Sequence, residues 1–191
     1  MDVNSDKVKC FPTPKKFRDW LKANHAKENE VWLKLFKKGS DTPSITWEES
    51  VMEAIAWGWI DGLKKSHDEK AYFQRFTPRT KTSGWSKTNR DHAENLIKGG
   101  RMQRPGMKDV DAAKSDGRWE SAYAGPSKME IPKDFLDALA GNKKAEKFFK
   151  TLNRTNLYSI YHRLHIAKKP ETRQNRMDKI IEMLARGEKF H

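Results

Sequence analysis

The sequence predicts an α+β fold, in which a small, mostly antiparallel sheet with packed helices is followed by a C-terminal helical bundle. Three observations support this prediction. Short segments before residue 80 alternate apolar and polar residues, as strands do. In the C-terminal third, three segments instead repeat apolar residues at helical spacing. The 191 residues are 36% hydrophobic and include seven Trp and nine Phe, which provides enough apolar material for a core.

The first elements follow from capping and alternation signals. Thr13-Pro14 predicts a helix start, because a hydroxyl cap precedes a proline at the first helical position. Residues 30–37 alternate and predict a strand with both faces partly covered. Thr46-Trp47-Glu48-Glu49 is a capping box, so a helix should begin there and end at Gly58.

A hairpin and two helices should follow. Residues 59–65 and 71–77 predict two strands joined by a turn over residues 67–70. Thr88 with Asp91 predicts the start of a helix, and a short helix is expected over residues 107–115.

A boundary is predicted at Gly125-Pro126-Ser127. We therefore divide the chain into a tail over residues 1–10, an α+β domain over 11–125 and a basic helical domain over 126–191. A short helix is expected over residues 133–140. Three longer helices are expected where apolar residues recur at i, i+3, i+4 and i+7. These residues are Ala145, Phe148, Phe149 and Leu152 in the first helix, Leu157, Ile160, Tyr161 and Leu164 in the second, and Met177, Ile180, Ile181 and Leu184 in the third.

The chain is strongly basic, with a formal net charge of +13. Residues 1–125 carry 24 basic and 18 acidic side chains, whereas residues 126–191 carry 15 and 8, so the smaller part has more charge per residue. Such a charge favours an anionic small molecule or an acidic protein surface, with nucleic acid as a further candidate partner. The other interpretation is that the charge only keeps the protein soluble.

The compartment is predicted from what the sequence lacks. Cys10 is the single cysteine, so no intrachain disulfide can form. The first ten residues contain no apolar signal region, and no apolar segment approaches the length of a membrane span. These features predict a cytoplasmic protein, and no motif calls for a cofactor.

The segment from Trp57 to Leu96 contains the most unusual residue pattern. Tryptophan, arginine, glycine and short polar side chains alternate there, as in ligand sites and rigid corners. We expect an anion to bind near the N-terminus of the helix predicted at Thr88. The candidate ligand-binding residues are Trp59, Asp61, Arg75, Arg79, Ser83, Trp85, Ser86, Lys87 and Asn89. The alternative is structural: Asp61 pairs with Arg75 or Arg79, and the tryptophans fill the core.

A second basic patch is expected near the C-terminus. Its candidate residues are Lys168, Thr172, Arg173 and Arg176, at or just before the last helix. Such a ridge can contact phosphates, but an ordinary solvated helix face has the same pattern.

Catalysis and metal binding have little support in the sequence. No nucleophile motif is present, and Asp61 is the one weak candidate for an acid or base. His162 and His165 have no third metal ligand nearby, so no metal site is predicted. A non-catalytic protein is favoured.

Several spaced motifs together resemble a known family. They are Gly58-Trp59-Ile60-Asp61-Gly62, Phe76-Thr77-Pro78-Arg79, Trp85-Ser86-Lys87-Thr88-Asn89, Gly100-Arg101-Met102 and Ala167-Lys168-Lys169-Pro170-Glu171-Thr172-Arg173. In this order they resemble the YdeI/OmpD-associated, bacteriocin-protection family over nearly the whole chain, from about Phe11 to Lys189. One departure is Arg163, where the resemblance predicts an aromatic residue.

The resemblance implies a role in resistance to bacteriocins and cationic antimicrobial peptides, and an association with an outer-membrane porin, but no catalytic residues. A protein of charge +13 should repel a cationic peptide, so protection should act through an anionic partner or indirectly. The leading hypothesis is a cytoplasmic stress- or antimicrobial-resistance protein that binds an anionic ligand. The alternatives are non-specific nucleic-acid binding through the C-terminal basic helices, and an enzyme acting on a phosphorylated or carboxylated metabolite.

Overall fold

The computed structural model describes residues 2–191. It confirms an α+β fold with C-terminal helices. The chain forms two compact units, of which the N-terminal unit ends at Ala122 and the C-terminal unit begins at Tyr123. Within residues 2–191, no helix is both long and apolar enough to cross a bilayer.

The N-terminal unit contains one four-stranded sheet, in the order β1-β2-β4-β3. Its strands are β1 (Val8–Lys9), β2 (Val31–Phe36), β3 (Trp59–Ser66) and β4 (Ala71–Pro78). β1 pairs parallel to β2, and the other pairs are antiparallel. The β3–β4 register shifts between Asp61 and Lys64, and the Gln74 side-chain amide donates to the Gly62 carbonyl oxygen at 2.9 Å.

Four helices belong to the same unit: α1 (Pro14–Asn24), α2 (Trp47–Ala56), α3 (Lys87–Lys98) and α4 (Arg104–Ser115). The caps predicted for α1 and α2 are present, because the Thr13 side chain accepts from the Lys16 N–H and Thr46 forms the full capping box with Glu49. Gly58 then turns the chain out of α2 with φ +75°.

Three boundaries differ from the sequence prediction. α3 begins earlier, because Ser86 rather than Thr88 accepts the capping hydrogen bond from the Asn89 N–H. α4 begins at Arg104 rather than Met107, because Pro105 fits the first helical turn. The segment predicted as a tail contributes β1, whose Val8 and Lys9 align with β2.

The core of the N-terminal unit lies between the sheet and its helices. Four of its side chains have no exposed surface, namely Phe17 and Leu21 from α1, Val31 from β2 and Phe76 from β4. Aromatic rings pack edge to face within it, for example Trp20 against Trp59 with ring centres 5.8 Å apart.

Helices are the regular elements of the C-terminal unit over residues 123–191, as its apolar spacing predicts. It contains α5 (Lys133–Ala140), α6 (Lys143–Phe149), α7 (Arg154–His165) and α8 (Pro170–Ala185). Phe135, Ala145, Ile160 and Leu184 form its buried centre. The Ala124 N–H, just before α5, donates to the hydroxyl of Tyr161 at 2.8 Å and ties that segment to α7.

Candidate functional site

The tryptophan corner, residues 57–62 and 76–89, is the first candidate site. Trp59 and Trp85 are 1% and 2% exposed and belong to the hydrophobic core. The indole N–H of Trp59 donates to the His25 carbonyl oxygen at 3.2 Å. Neither ring is therefore open for stacking against a ligand, and the structural interpretation applies to these two side chains.

Arg79 is fixed at the centre of this corner. Its guanidinium carbon lies 3.7 Å from the centre of the Trp85 ring, in cation–π contact. Its Nη1 donates to the Gly84 carbonyl oxygen at 3.1 Å, and its backbone N–H donates to the Gly58 carbonyl oxygen at 2.9 Å. Arg79 thus connects two motifs that are far apart in sequence, one through its backbone and the other through its side chain.

Asp61, the candidate acid or base, lies half-buried on β3 in the same corner. Burial raises the pKa of its carboxyl. A hydrogen bond from the Trp47 indole at 3.3 Å and the positive charge of Arg79 lower that pKa by a smaller amount. Trp47 itself is 42% exposed. A carboxyl with a raised pKa beside an arginine can exchange a proton, which keeps Asp61 as a candidate for that chemistry.

A second carboxylate, Asp109 on α4, is brought to the corner by Gly58. A Cβ at Gly58 would lie 2.8 Å from Asp109 Oδ2, so the glycine leaves the space that this carboxylate fills. Burial raises the pKa of Asp109, opposed first by the charge of Arg79 and then by those of Arg118 and Lys108. Asp109 has no signal in the sequence, because a single aspartate on an amphipathic helix forms no motif.

The remaining predicted ligands have structural partners. Arg75 forms an ion pair with Glu30 at 2.6 Å, not with Asp61. The Ser83 hydroxyl accepts from the Thr80 N–H at 3.0 Å, which shapes the loop. Ser86 caps α3 through Asn89, whose side chain is 9% exposed, while Lys87 is exposed.

Arg118 and Trp119 also belong to the corner, although no sequence motif indicates them. The Trp119 ring packs edge-on to Trp85, with centres 5.0 Å apart. Arg118 Nη1 donates to the Ser83 carbonyl oxygen at 2.9 Å. The corner is thus held together by edge-to-face ring packing and by arginine hydrogen bonds to backbone carbonyl groups.

The second predicted patch divides into two parts. Arg173 forms a bidentate pair with Asp134 at 2.7–2.9 Å and also donates to the Leu164 carbonyl oxygen at 2.7 Å, so its charge is used within the fold. Lys168 is exposed and Thr172 is half-buried before and within α8. Arg176 differs from these, because it lines a groove.

This α7–α8 groove has a volume of about 340 Å³. Three cations and three apolar side chains line it, namely Arg163, Arg176, Lys179, Ile166, Ile180 and Phe190. No carboxylate of the described residues 2–191 forms an ion pair with the three cations. Ile166 is 43% exposed, so the apolar surface is open as well.

The groove's arginines are held in place. The Arg163 guanidinium carbon lies 3.8 Å from the centre of the Phe190 ring, and Arg176 Nη1 donates to the Arg163 carbonyl oxygen at 2.6 Å. At position 163, where the resemblance predicts an aromatic residue, the planar guanidinium stacks on a ring as an aromatic side chain would.

The positive charge of the groove affects the pKa of the neighbouring His162. Burial lowers the pKa of its imidazole, and the charges of His165, Arg163 and Arg176 lower it further. Because two of these are groove residues, an anion bound there should raise the pKa of His162.

Two family models match the chain. The model for Bacteriocin-protection, YdeI or OmpD-Associated proteins matches residues 128–187, which is narrower than the whole-chain resemblance predicted from the motifs. The N-terminal motifs lie instead within a match to residues 9–109. No curated protein and no solved structure matches the chain. Since the second match covers more than half of the 191 residues, the chain belongs to the family described as Domain of unknown function (DUF8412), and its C-terminal part is of the YdeI/OmpD-associated type.

Proposed function

We propose that this protein binds an anionic, partly apolar ligand in the α7–α8 groove and acts without catalysis, in the cytoplasm, in protection against bacteriocins or antimicrobial peptides. The observation that supports this most is the groove itself, where Arg163, Arg176 and Lys179 have no carboxylate partner within residues 2–191. The groove lies almost wholly inside the segment that matches the bacteriocin-protection model.

The lining determines the chemical class of the ligand. Guanidinium and ammonium groups favour a phosphate or carboxylate head, and Ile166, Ile180 and Phe190 favour an apolar body. Both arginines are already fixed by Phe190 and by the Arg163 carbonyl oxygen, so less conformational entropy is lost on binding.

The charge also argues against direct capture of a cationic peptide. The C-terminal unit carries 15 basic and 8 acidic side chains. The same field that attracts an anion repels such a peptide, so protection should depend on an anionic cell component.

The test uses three probes that share either a tail or a head: octyl phosphate, octyltrimethylammonium and inorganic phosphate. We expect octyl phosphate to bind most tightly by calorimetry and to raise the pKa of His162 in an NMR titration. Lys179→Gln should weaken it about fivefold, because one exposed cation is lost. Lys128→Gln is the matched control, since Lys128 is an exposed lysine of the same unit outside the groove.

Equal binding of the anionic and cationic octyl probes would refute the proposal. So would equal effects of the two lysine substitutions. Binding of a short DNA duplex that falls steeply with salt and is weakened equally by both variants would instead support the nucleic-acid alternative.

The tryptophan corner gives a second candidate function, catalysis with Asp61 as acid or base. The raised pKa of Asp61 beside Arg79 favours it. Asp61→Asn should abolish any turnover found in a screen of phosphorylated and carboxylated metabolites, and full activity of that variant would exclude this role.

A further inference from the structure

A buried carboxylate in the N-terminal unit holds two arginines side by side. Glu53 on α2 is 2% exposed. It accepts from Arg18 Nε and Nη2 at 2.9 and 2.7 Å, and from Arg101 Nη2 at 2.6 Å. The last two bonds end on the same oxygen, so two guanidinium groups converge on one acceptor. A single carboxylate cannot neutralise both, and the cluster keeps a positive charge.

Both guanidinium groups remain accessible. The Arg18 and Arg101 side chains are 43% and 44% exposed. Glu53 takes only some of their N–H groups, and no other acceptor in residues 2–191 takes the rest. Since a guanidinium group has five N–H donors, each arginine has donors left for a ligand.

The backbone around Arg101 fixes its position. Gly100 takes the left-handed conformation with φ +64°, which an L side chain rarely adopts. The Arg101 N–H then donates to the Leu96 carbonyl oxygen at 2.8 Å, and the Gln103 side chain donates to the Arg101 carbonyl oxygen at 2.9 Å. The Gly100-Arg101-Met102 motif therefore places one guanidinium group over α2.

A groove lies beside α4, and Arg104 in its lining follows Arg101 by three residues. It has a volume of about 660 Å³ and is lined by His25, Arg104, Pro105, Met107, Lys108 and Asp111. His25, seven residues after Arg18, lies on the same side of α1, and its ring centre is 4.8 Å from that of Trp57. The Gln103 N–H donates to the Ala56 carbonyl oxygen at 3.1 Å, so the chain between Arg101 and Arg104 lies at the end of α2, the helix that carries Glu53.

The charges of this surface suit a dianion. The surface has four positive side chains, Arg18, Arg101, Arg104 and Lys108, and two negative ones, Glu53 and Asp111. Its net charge is therefore +2. A phosphate monoester carries close to two negative charges at neutral pH and accepts bidentate hydrogen bonds from arginine. Pro105, Met107 and the His25 ring offer the body of such a ligand an apolar surface.

We propose that the N-terminal unit binds a phosphate monoester, with its phosphate on Arg18 and Arg101 and its apolar body in the groove between α1 and α4. This site is separate from the α7–α8 groove and does not depend on the function proposed for it.

The probes for this site are phenyl phosphate and benzenesulfonate, which share a ring but differ by one charge. Binding should change the intrinsic tryptophan fluorescence, because all seven tryptophans precede residue 120 and Trp57 stacks on His25. We expect phenyl phosphate to bind about tenfold more tightly than benzenesulfonate, because its second negative charge strengthens the charge-assisted hydrogen bonds from the two arginines.

Arg101→Lys should weaken phenyl phosphate about fivefold or more, since lysine cannot form the bidentate contact. Arg75→Lys is the control, because it makes the same change at another Arg–Glu pair outside the groove. Lys108→Gln alters an exposed groove residue and should also weaken binding without unfolding the unit.

Equal affinity for the two aryl probes would overturn the proposal. Equal effects of Arg101→Lys and Arg75→Lys, with Lys108→Gln unchanged from the parent protein, would overturn it too. The two sites are told apart by their readouts: occupancy here changes tryptophan fluorescence, whereas occupancy of the α7–α8 groove changes the pKa of His162.

Discussion

Gly106 is the position where a single added methyl group should cost the N-terminal unit the most. It lies in the first turn of α4 against the end of α2. A Cβ there would lie 2.5 Å from the carbonyl oxygens of Ile55 and Ala56 and 2.6 Å from Met102 Sδ. Real Cβ atoms essentially never approach within 3.0 Å, and two of these neighbours are backbone atoms that cannot rotate away.

The expected loss follows from that geometry. Gly106→Ala must move α4 away from α2, and overpacking of this kind costs about 1–3 kcal/mol. The shift also strains the hydrogen bond from the Gln103 N–H to the Ala56 carbonyl oxygen, now 3.1 Å, which is worth about 1 kcal/mol. Alanine's higher helix propensity offsets about 1 kcal/mol. We therefore expect a net loss of about 1–3 kcal/mol in the free energy of unfolding.

Urea unfolding followed by tryptophan fluorescence measures this loss, because every tryptophan lies in the N-terminal unit. Gly62→Ala is the control, since its nearest neighbour would be the Arg75 carbonyl oxygen at an ordinary 3.9 Å. That variant should change the free energy by less than about 0.5 kcal/mol. Equal stability of the two variants would show that α4 is not packed as tightly on α2 as the distances imply.

Three further predictions concern buried polar groups. Burial raises the pKa of Asp109 above its ordinary 3.8, so the folded state binds this proton more tightly than the unfolded state does, and the free energy of unfolding should fall as the pH rises from 3.8. The urea midpoint of the Asp109→Asn variant should not show this fall. The same pH dependence of the midpoint in both proteins would contradict the prediction. The pKa of His162 is lowered from 6.5, so the free energy of unfolding should decrease as the pH falls below 6.5. The His162→Gln variant should show a smaller decrease in thermal melts followed by far-UV circular dichroism. The same decrease in the variant and the parent protein would exclude the effect. Tyr161→Phe removes the acceptor of the buried Ala124 N–H and should cost about 1–3 kcal/mol in the same melts, whereas a cost near zero would mean that water replaces the hydroxyl.

Local signals predicted most of the fold. The Thr46–Glu49 capping box and the apolar spacing of α7 and α8 each depend on residues within a turn or two of one another, so the sequence displays them directly. The displaced start of α3 shows the limit of such signals. Ser86 and Thr88 are both good caps by residue type, and the structure uses Ser86, which directly follows the buried Trp85.

The candidate sites depended on contacts that no spacing displays. Glu53 accepts hydrogen bonds from Arg18 and Arg101, which lie 35 and 48 residues away in the sequence. The space for Asp109 at Gly58 exists only because α4 folds back onto the end of α2. The motif residues form an unusual pattern in the sequence, but the partners that contact them lie on helices whose sequences are ordinary.

The outer strands of the sheet have a consequence for the protein at high concentration. β1 is only two residues long, and β3 has an irregular register where the Gln74 amide occupies the Gly62 carbonyl group. Lys64 and Lys65 add charge to the same strand. The short β1 and the irregular, charged β3 should therefore disfavour edge-to-edge polymerisation into fibrils, even though Leu63 is exposed.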